Sequence, residues 1–177
     1  MNDFLMEQQD SFNFANCLTP QLTSMCQAIV ASYHHWTHRE LIAGLHSNAY
    51  DLDPSIVTEQ LFEHNAVILA HNTAPDPTFV FANRTAMTLW EYSWTEIVGL
   101  PSRLTAEPDL RPNREQLLNR VRDFGFIDDY SGIRVSKSGK RFRIAQATVW
   151  NVVDPTGKRI GQAATFNHWT HLKADQS

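Results

Sequence analysis

The chain has 177 residues, 42% of them hydrophobic and 11% aromatic, with a formal net charge of −4. Such a length and apolar content predict one domain with its own core, preceded by an N-terminal extension. The near-balanced charge excludes a broad basic surface for nucleic acid or anionic membrane, and the longest apolar run, Ala66 to Ala70, is too short to span a bilayer. The N-terminus carries Asp3 and Glu7 and no basic segment, so no signal peptide is expected. Cys17 and Cys26 lack metal-motif spacing, which predicts a reducing, cytoplasmic setting.

Residues 1–18 are polar with scattered Phe and no period, and read as a loose arm. Thr19-Pro20 is a helix start, because Thr can cap and Pro is tolerated at the first helical position. Leu22, Cys26, Ile29, Tyr33 and Trp36 then recur in steps of four and three, one face of an amphipathic helix. Its spacing extends through Leu41 and Leu45 with a bend near Thr37. A linker over 48–53 leads to Asp53-Pro54, the start of a short helix carrying Ile56, Leu61 and Phe62.

Ala66 to Ala70 predicts a buried strand, and Thr78 to Ala82 its partner across an Asn/Asp/Pro-rich turn. Short helices are expected over 85–90 and 95–98, the second closed by Gly99. Asn113 to Gln116 resembles a capping box, followed by a helix that carries Leu117, Leu118, Val121 and Phe124 and stops at Gly125. Beyond it the period changes. Tyr130 to Val135, Arg141 to Val153 and Arg159 to Trp169 predict three strands, joined by turns at Ser138-Gly139 and Asp154-Pro155-Thr156-Gly157. Strands segregated from helices argue α+β.

The stretch Phe79 to Ala106, in which a strand runs into Asn83, a helix, and a second helix closed by Gly99, resembles the centre of a PAS domain. That resemblance implies a five-stranded antiparallel sheet with helices on one face, here with an N-terminal helical extension. The expected organisation is an arm and amphipathic helix over 1–50, the PAS-like domain over 51–170 and a tail over 171–177. The segments Leu100–Glu107, Ile127–Arg134, Gly139–Ile144, Ala147–Asn151 and Gly161–Phe166 more specifically resemble the MEKHLA family, in its stand-alone bacterial type. The similarity covers roughly Gln27 to Phe166. It implies a sensory or regulatory module with no catalytic residues. The chain has no homeodomain pattern or long heptad, so the DNA-binding function of the plant members of that family is not expected here.

Flavin photoreceptors of the PAS type carry a reactive Cys where this chain has Ser102, in Gly99-Leu-Pro-Ser-Arg103. Ser is a poor nucleophile without an adjacent base. Haem-binding PAS domains use a His on the helix before the final sheet, and none lies between Arg114 and Phe124. No cofactor is therefore expected, and no metal: His34 and His38 share a helical face but lack a third ligand. Asp128 and Asp129 are adjacent on a strand and point to opposite faces, which disfavours a shared catalytic pocket. They are expected to end a connection or to pair with Arg134, Arg141 or Arg143.

On the strand from Ile144 to Trp150, strict alternation places Ala145, Ala147 and Val149 on one face, with Ala163 adding another small side chain. If that set faces the helices, a ligand cavity is left beneath them. Phe81, Leu89, Trp90 and Phe124, with Phe126, either line that cavity or fill it. The opposite face then carries Ile144, Trp150 and Phe166, an apolar patch that needs cover from Tyr33 and Trp36 of the first helix, from a second copy, or both. The resulting expectation is a homodimer that binds an unidentified small molecule or a separate signalling protein, with neither nucleic acid nor membrane as partner. A pure dimerisation module with a filled core and a small α+β enzyme are the competing readings.

Overall fold

The computed structural model describes residues 13–107 and 111–173. Of the arm expected over residues 1–18, the part before residue 13 lies outside the described residues, as does the tail beyond residue 173. The rest is not loose, because Phe14–Cys17 form a short helical turn and Phe14 is buried, stacked on Phe62 at 3.7 Å. Thr19 caps α1 (Pro20–Thr37), its hydroxyl accepting from the Leu22 amide at 3.2 Å. That bond satisfies one of the amides that every helix start leaves without a partner. The helix stops before Leu41: His38 turns left-handed at φ 55°, and its amide donates to the His34 carbonyl. Leu41 and Leu45 are buried from a non-helical segment, so their spacing reflects burial and not helical period. Asp53 caps α2 (Pro54–Phe62), accepting from the Ser55 amide at 2.8 Å. Leu61 and Phe62 are buried, whereas Ile56 is exposed.

The strand–Asn–helix sequence acquires a physical reason. Between β1 (Val67–His71) and β2 (Phe79–Ala82) on one side and α3 (Arg84–Trp90) on the other, Asn83 is wholly buried. Its oxygen accepts from the amides of Ala86 and Ile68, each at 3.0 Å. Its amide nitrogen donates to the carbonyls of His64 and Ala66 at 3.0 and 2.7 Å. One side chain thus caps the helix and fixes the entry to β1. Only a side chain with both donors and an acceptor can do so. Ser93 and Glu96 form a capping box on α4 (Trp94–Ile97).

After α5 (Arg111–Phe124) come β3 (Phe126–Val135), β4 (Arg141–Val153), β5 (Arg159–Phe166) and β6 (His168–His171). The sheet is antiparallel throughout, in the order β2-β1-β5-β4-β3, and β6 also pairs with β4. The last predicted strand is therefore broken in two at Asn167. Both pieces lie along β4: Thr148 faces Thr165, and Ala145 faces His168. β3 begins four residues earlier than expected, so Asp128 and Asp129 lie inside it, both exposed. Asp128 meets Arg39 at 3.6 Å, and none of the three expected arginines.

The sheet separates two apolar clusters. On its outer face Trp150 and Val152 pack with Ile29 and Tyr33 of α1 and with Leu61 and Phe62 of α2. On its inner face Phe142, Ile144, Ala147, Val149 and Phe166 pack with α3 and with Val121 of α5. Gly125 joins α5 to β3 at φ 96°, and a Cβ there would lie 2.4 Å from the Trp36 ring. Both the backbone angle and the closeness of Trp36 require glycine.

Candidate functional site: a cavity on the inner face of the sheet

Two compensating irregularities decide which side chains point inward. Ile127 faces Val149 but Tyr130 faces Ala147, so β3 carries one extra residue. Tyr130 faces Ala147 but Gly132 faces Ile144, so β4 then carries one extra. Gln146 sits in that second bulge with φ 54°. A bulge restarts the two-residue alternation. Ile144 therefore joins Ala147 and Val149 on the inner face, and Ala145 is half-buried outside it, opposite His168. This corrects the placement of Ile144 on the outer face and of Ala145 in the cavity.

Register corrects two further placements, those of Phe166 and Phe81. Trp150 faces Ala163, and Val149 faces Ala164. Ala163 thus packs in the outer cluster although it also borders the cavity, and Phe166 belongs to the inner cluster. Phe81 lies in the outer cluster, with its ring 6.1 Å from that of Trp94. Phe124, the last residue of α5, is 74% exposed and does not line the cavity, whereas Val121 and Leu117 of that helix pack in the inner cluster. Leu89 packs in the inner cluster without reaching the cavity; Trp90, Ala147 and Val149 do reach it. Tyr33, Trp36 and Trp150 meet between α1 and the sheet. The Tyr33 and Trp150 rings stand 4.9 Å apart, edge to face, and the Trp36 indole donates to the Asn151 carbonyl at 2.9 Å.

The cavity between the inner face and α5 holds about 70 Å³. Its walls are apolar side chains of every central strand, among them Leu69, Ile144, Val149 and Phe166, with Leu117 of α5 above them. Four residues with polar groups break that wall on the strands: His71, Gln162, Tyr130 and Arg134. The His71 Nδ1–H donates to the Asn72 carbonyl at 2.8 Å, which assigns the proton to that nitrogen.

Arg134 was missed as a cavity residue by the sequence reading, which offered it only as a carboxylate partner. One Arg134 nitrogen donates to the Ile133 carbonyl at 2.9 Å and another to the Tyr130 hydroxyl. The guanidinium also lies 5.3 Å from the centre of the Tyr130 ring. Tyr130, Gly132 and Arg134 alternate along β3, and that period-two signal was legible in the sequence. A Cβ on Gly132 would come within 2.2 Å of the Tyr130 oxygen. The glycine is what lets the ring lie along the strand and meet the guanidinium.

Gln162 links this site to the helices. It donates to the Asn151 oxygen at 3.3 Å, and the Asn151 amide donates to the carbonyls of Val121 and Arg122 at 2.9 and 3.2 Å. The last turn of α5 is thus tied to the centre of the sheet: the Asn151 amide reaches the Arg122 carbonyl and the Val121 carbonyl, which also accepts from the Gly125 amide. No group of three or more metal-ligating side chains occurs among the described residues. Burial pushes the Cys26 thiol up to about 12, so it stays protonated and is no nucleophile.

The model of the MEKHLA domain matches residues 23–171. The chain is 24% identical over 156 residues to homeobox-leucine zipper protein ATHB-9 of Arabidopsis thaliana, covering 87% of this chain and 18% of that protein. It is 27% identical over 137 residues to homeobox-leucine zipper protein REVOLUTA of the same plant, covering 76% and 15%. The chain spans less than a fifth of the length of these relatives. They are plant proteins, and the expected stand-alone bacterial type gains no support from them. Among solved structures, the PAS domain of a Colwellia psychrerythraea protein superposes with a TM-score of 0.57 at 13% identity, over 67% of this chain and 95% of that one. An RNA-binding light-oxygen-voltage receptor superposes with a TM-score of 0.54 at 19% identity, over 65% and 33%. At such identities these likenesses establish the fold.

Proposed function

This chain belongs to the MEKHLA domain family, and we propose that it acts as a PAS-like sensory or regulatory module. In this reading a small molecule enters the inner cavity, and a separate protein receives the signal. The observation that carries it is the cavity itself, walled by the sheet and by α5, whose last turn hangs on Asn151. A ligand there touches the same sheet that fixes the helix, which gives occupancy a physical route to the surface. The proposed setting is cytoplasmic. No described helix is long and apolar enough to cross a membrane, and both cysteines are free.

A flavin is not part of this proposal. Sites for ligands of that size occupy roughly 300–1,000 Å³, against about 70 Å³ here. Ser102 is also wholly buried, in the turn Ser102–Thr105. The reading assigns no catalytic residue: Asp128 and Asp129 are exposed and the Cys26 thiol stays protonated.

One observation favours a second reading, a homodimerisation module with a filled core: the cavity is small, and the rings of Trp90, Phe142 and Phe166 already interlock beside it. Trp150 is 0% exposed within a single chain, so the interface of such a dimer would lie elsewhere. Native mass spectrometry of freshly purified protein separates the two readings. A bound small organic mass supports the sensor. A bare dimer, with no metabolite that raises its melting temperature, replaces it with the second reading.

A further inference from the structure

We infer that the cavity takes a short-chain carboxylate, held at its charged end by Arg134 and Tyr130 and along its chain by the apolar wall. This rests on the reading of the cavity as a ligand site. Volume limits the ligand first. An apolar cavity of ~150 Å³ accepts benzene and a water occupies ~30 Å³, so about 70 Å³ holds only a few carbon atoms without rearrangement.

Charge limits it next. Among the described residues that line the cavity, Arg134 carries the only charge fixed at neutral pH. Every ion pair among the described residues leaves it out. Two of its nitrogens donate to the Ile133 carbonyl and the Tyr130 hydroxyl, so further N–H groups of the fork remain. Because the Tyr130 oxygen accepts from Arg134, its own proton is left to donate. The pair therefore presents donors and a positive charge. The complementary group is a charged acceptor, and a planar carboxylate matches a guanidinium fork. Gly132 keeps this arrangement open, since a Cβ there would strike the Tyr130 oxygen at 2.2 Å. Ile144, Val149 and Phe166 on the strands offer nothing polar, which favours an alkyl chain over a second charged group.

The test is calorimetric titration of the full chain with acetate, propionate and butyrate, and with the three matching amides, at constant ionic strength in chloride. At least one acid is expected to bind saturably, one to one, with its amide about tenfold weaker or more. Arg134→Met should weaken that acid about tenfold, Arg134→Lys less, and Tyr130→Phe several-fold. Circular dichroism checks that each variant is folded. The acid-to-amide ratio of the wild type decides the matter even if Arg134→Met does not fold. Equal binding of acids and amides, or undiminished binding by folded Arg134→Met, overturns the carboxylate assignment and leaves the cavity a ligand site. A different ligand found by native mass spectrometry, with no acid binding, does the same. No binding of any probe, and no bound mass in the native protein, overturns both.

Discussion

The two faces of the sheet solve opposite problems. On the outer face the indoles of Trp150 and Trp36 and the hydroxyl of Ser32 all have hydrogen-bond partners amid the packed side chains. Trp150 donates to the Ile29 carbonyl at 3.2 Å, Trp36 donates to Asn151, and Ser32 exchanges bonds with both backbone groups of Val153, at 2.8 and 3.2 Å. On the inner face Ala147 and Ala164 stand among bulky neighbours, β3 and β4 are bulged, and a void remains. Close packing with satisfied polar groups makes a stiff platform. The same sheet can therefore leave space on its other side without losing its shape. The inner site is held in place by a face it does not belong to.

The sharpest break of that comparison is to remove the cover. A chain lacking residues 1–47 loses α1 and exposes Trp150 with the rest of the outer cluster. It is expected to aggregate or to fail to fold, as read by size-exclusion chromatography and near-ultraviolet circular dichroism. A soluble fragment with the parent melting temperature would show that α1 covers nothing of consequence. Trp150→Ala takes away the largest fully buried side chain of the same layer and one cross-layer bond. About 3–5 kcal/mol should be lost in urea unfolding. Gly125→Ala tests the corner that both layers share. It places a Cβ against Trp36 at a left-handed backbone angle, and at least about 1–3 kcal/mol should follow from backbone strain.

A matched pair then compares the faces directly. Ala28 is buried in the outer cluster and Ala147 borders the void. Ala28→Leu should overpack at a cost of about 1–3 kcal/mol. Ala147→Leu should leave the melting temperature unchanged or raise it, and should abolish any carboxylate binding. Equal losses at both positions would mean that the inner face is as tightly packed as the outer.

The smallest effect belongs to the rim of the inner face, where Glu91 receives Lys140, Ser136 and Ser138 from the β3–β4 turn. The Lys140 ammonium and the two hydroxyls hold its carboxyl down at about 2, and Lys137 does the same for Glu96. A carboxyl whose folded pKa is depressed adds stability above its unfolded value, here near 4.5, and loses it as pH falls towards 2. Glu96 is exposed and Glu91 partly so, and screening keeps the effect small. The urea midpoint of wild type should fall more between pH 5 and pH 2.5 than that of Glu91→Gln. Parallel curves would show that the Glu91 contacts add nothing.

Much of this is legible in the sequence. The Thr19 and Asp53 caps, the Asn83 junction, the Gly125 stop and the two hairpin turns are local signals, and each marks a feature of the fold. The apolar face of α1 announced its need for cover, and Tyr33, Trp36 and Trp150 meet. The candidate cavity was legible as a run of small residues but not residue by residue. Ile144, Phe166 and Ala145 were misplaced because alternation was carried through Gln146, a bulge with no Gly to mark it. Phe124 was misplaced because it shares the i, i+4, i+7 face of Leu117 and Val121 yet is the last residue of α5, where it stands exposed.

By itself the sequence determined the order and type of the elements, their caps and turns, and the family. These depend on interactions within a few residues of one another, so the pattern of residue types is enough to set them. Tertiary structure alone decided which side of the sheet each side chain faces, where the void lies, and that Arg134 and Tyr130 meet at its wall. Those outcomes depend on strand register, and a shift of one residue sends every side chain of a strand to the opposite face. The two bulges in β3 and β4 make that shift and undo it within a few residues. They do so only because two strands distant in sequence pair there.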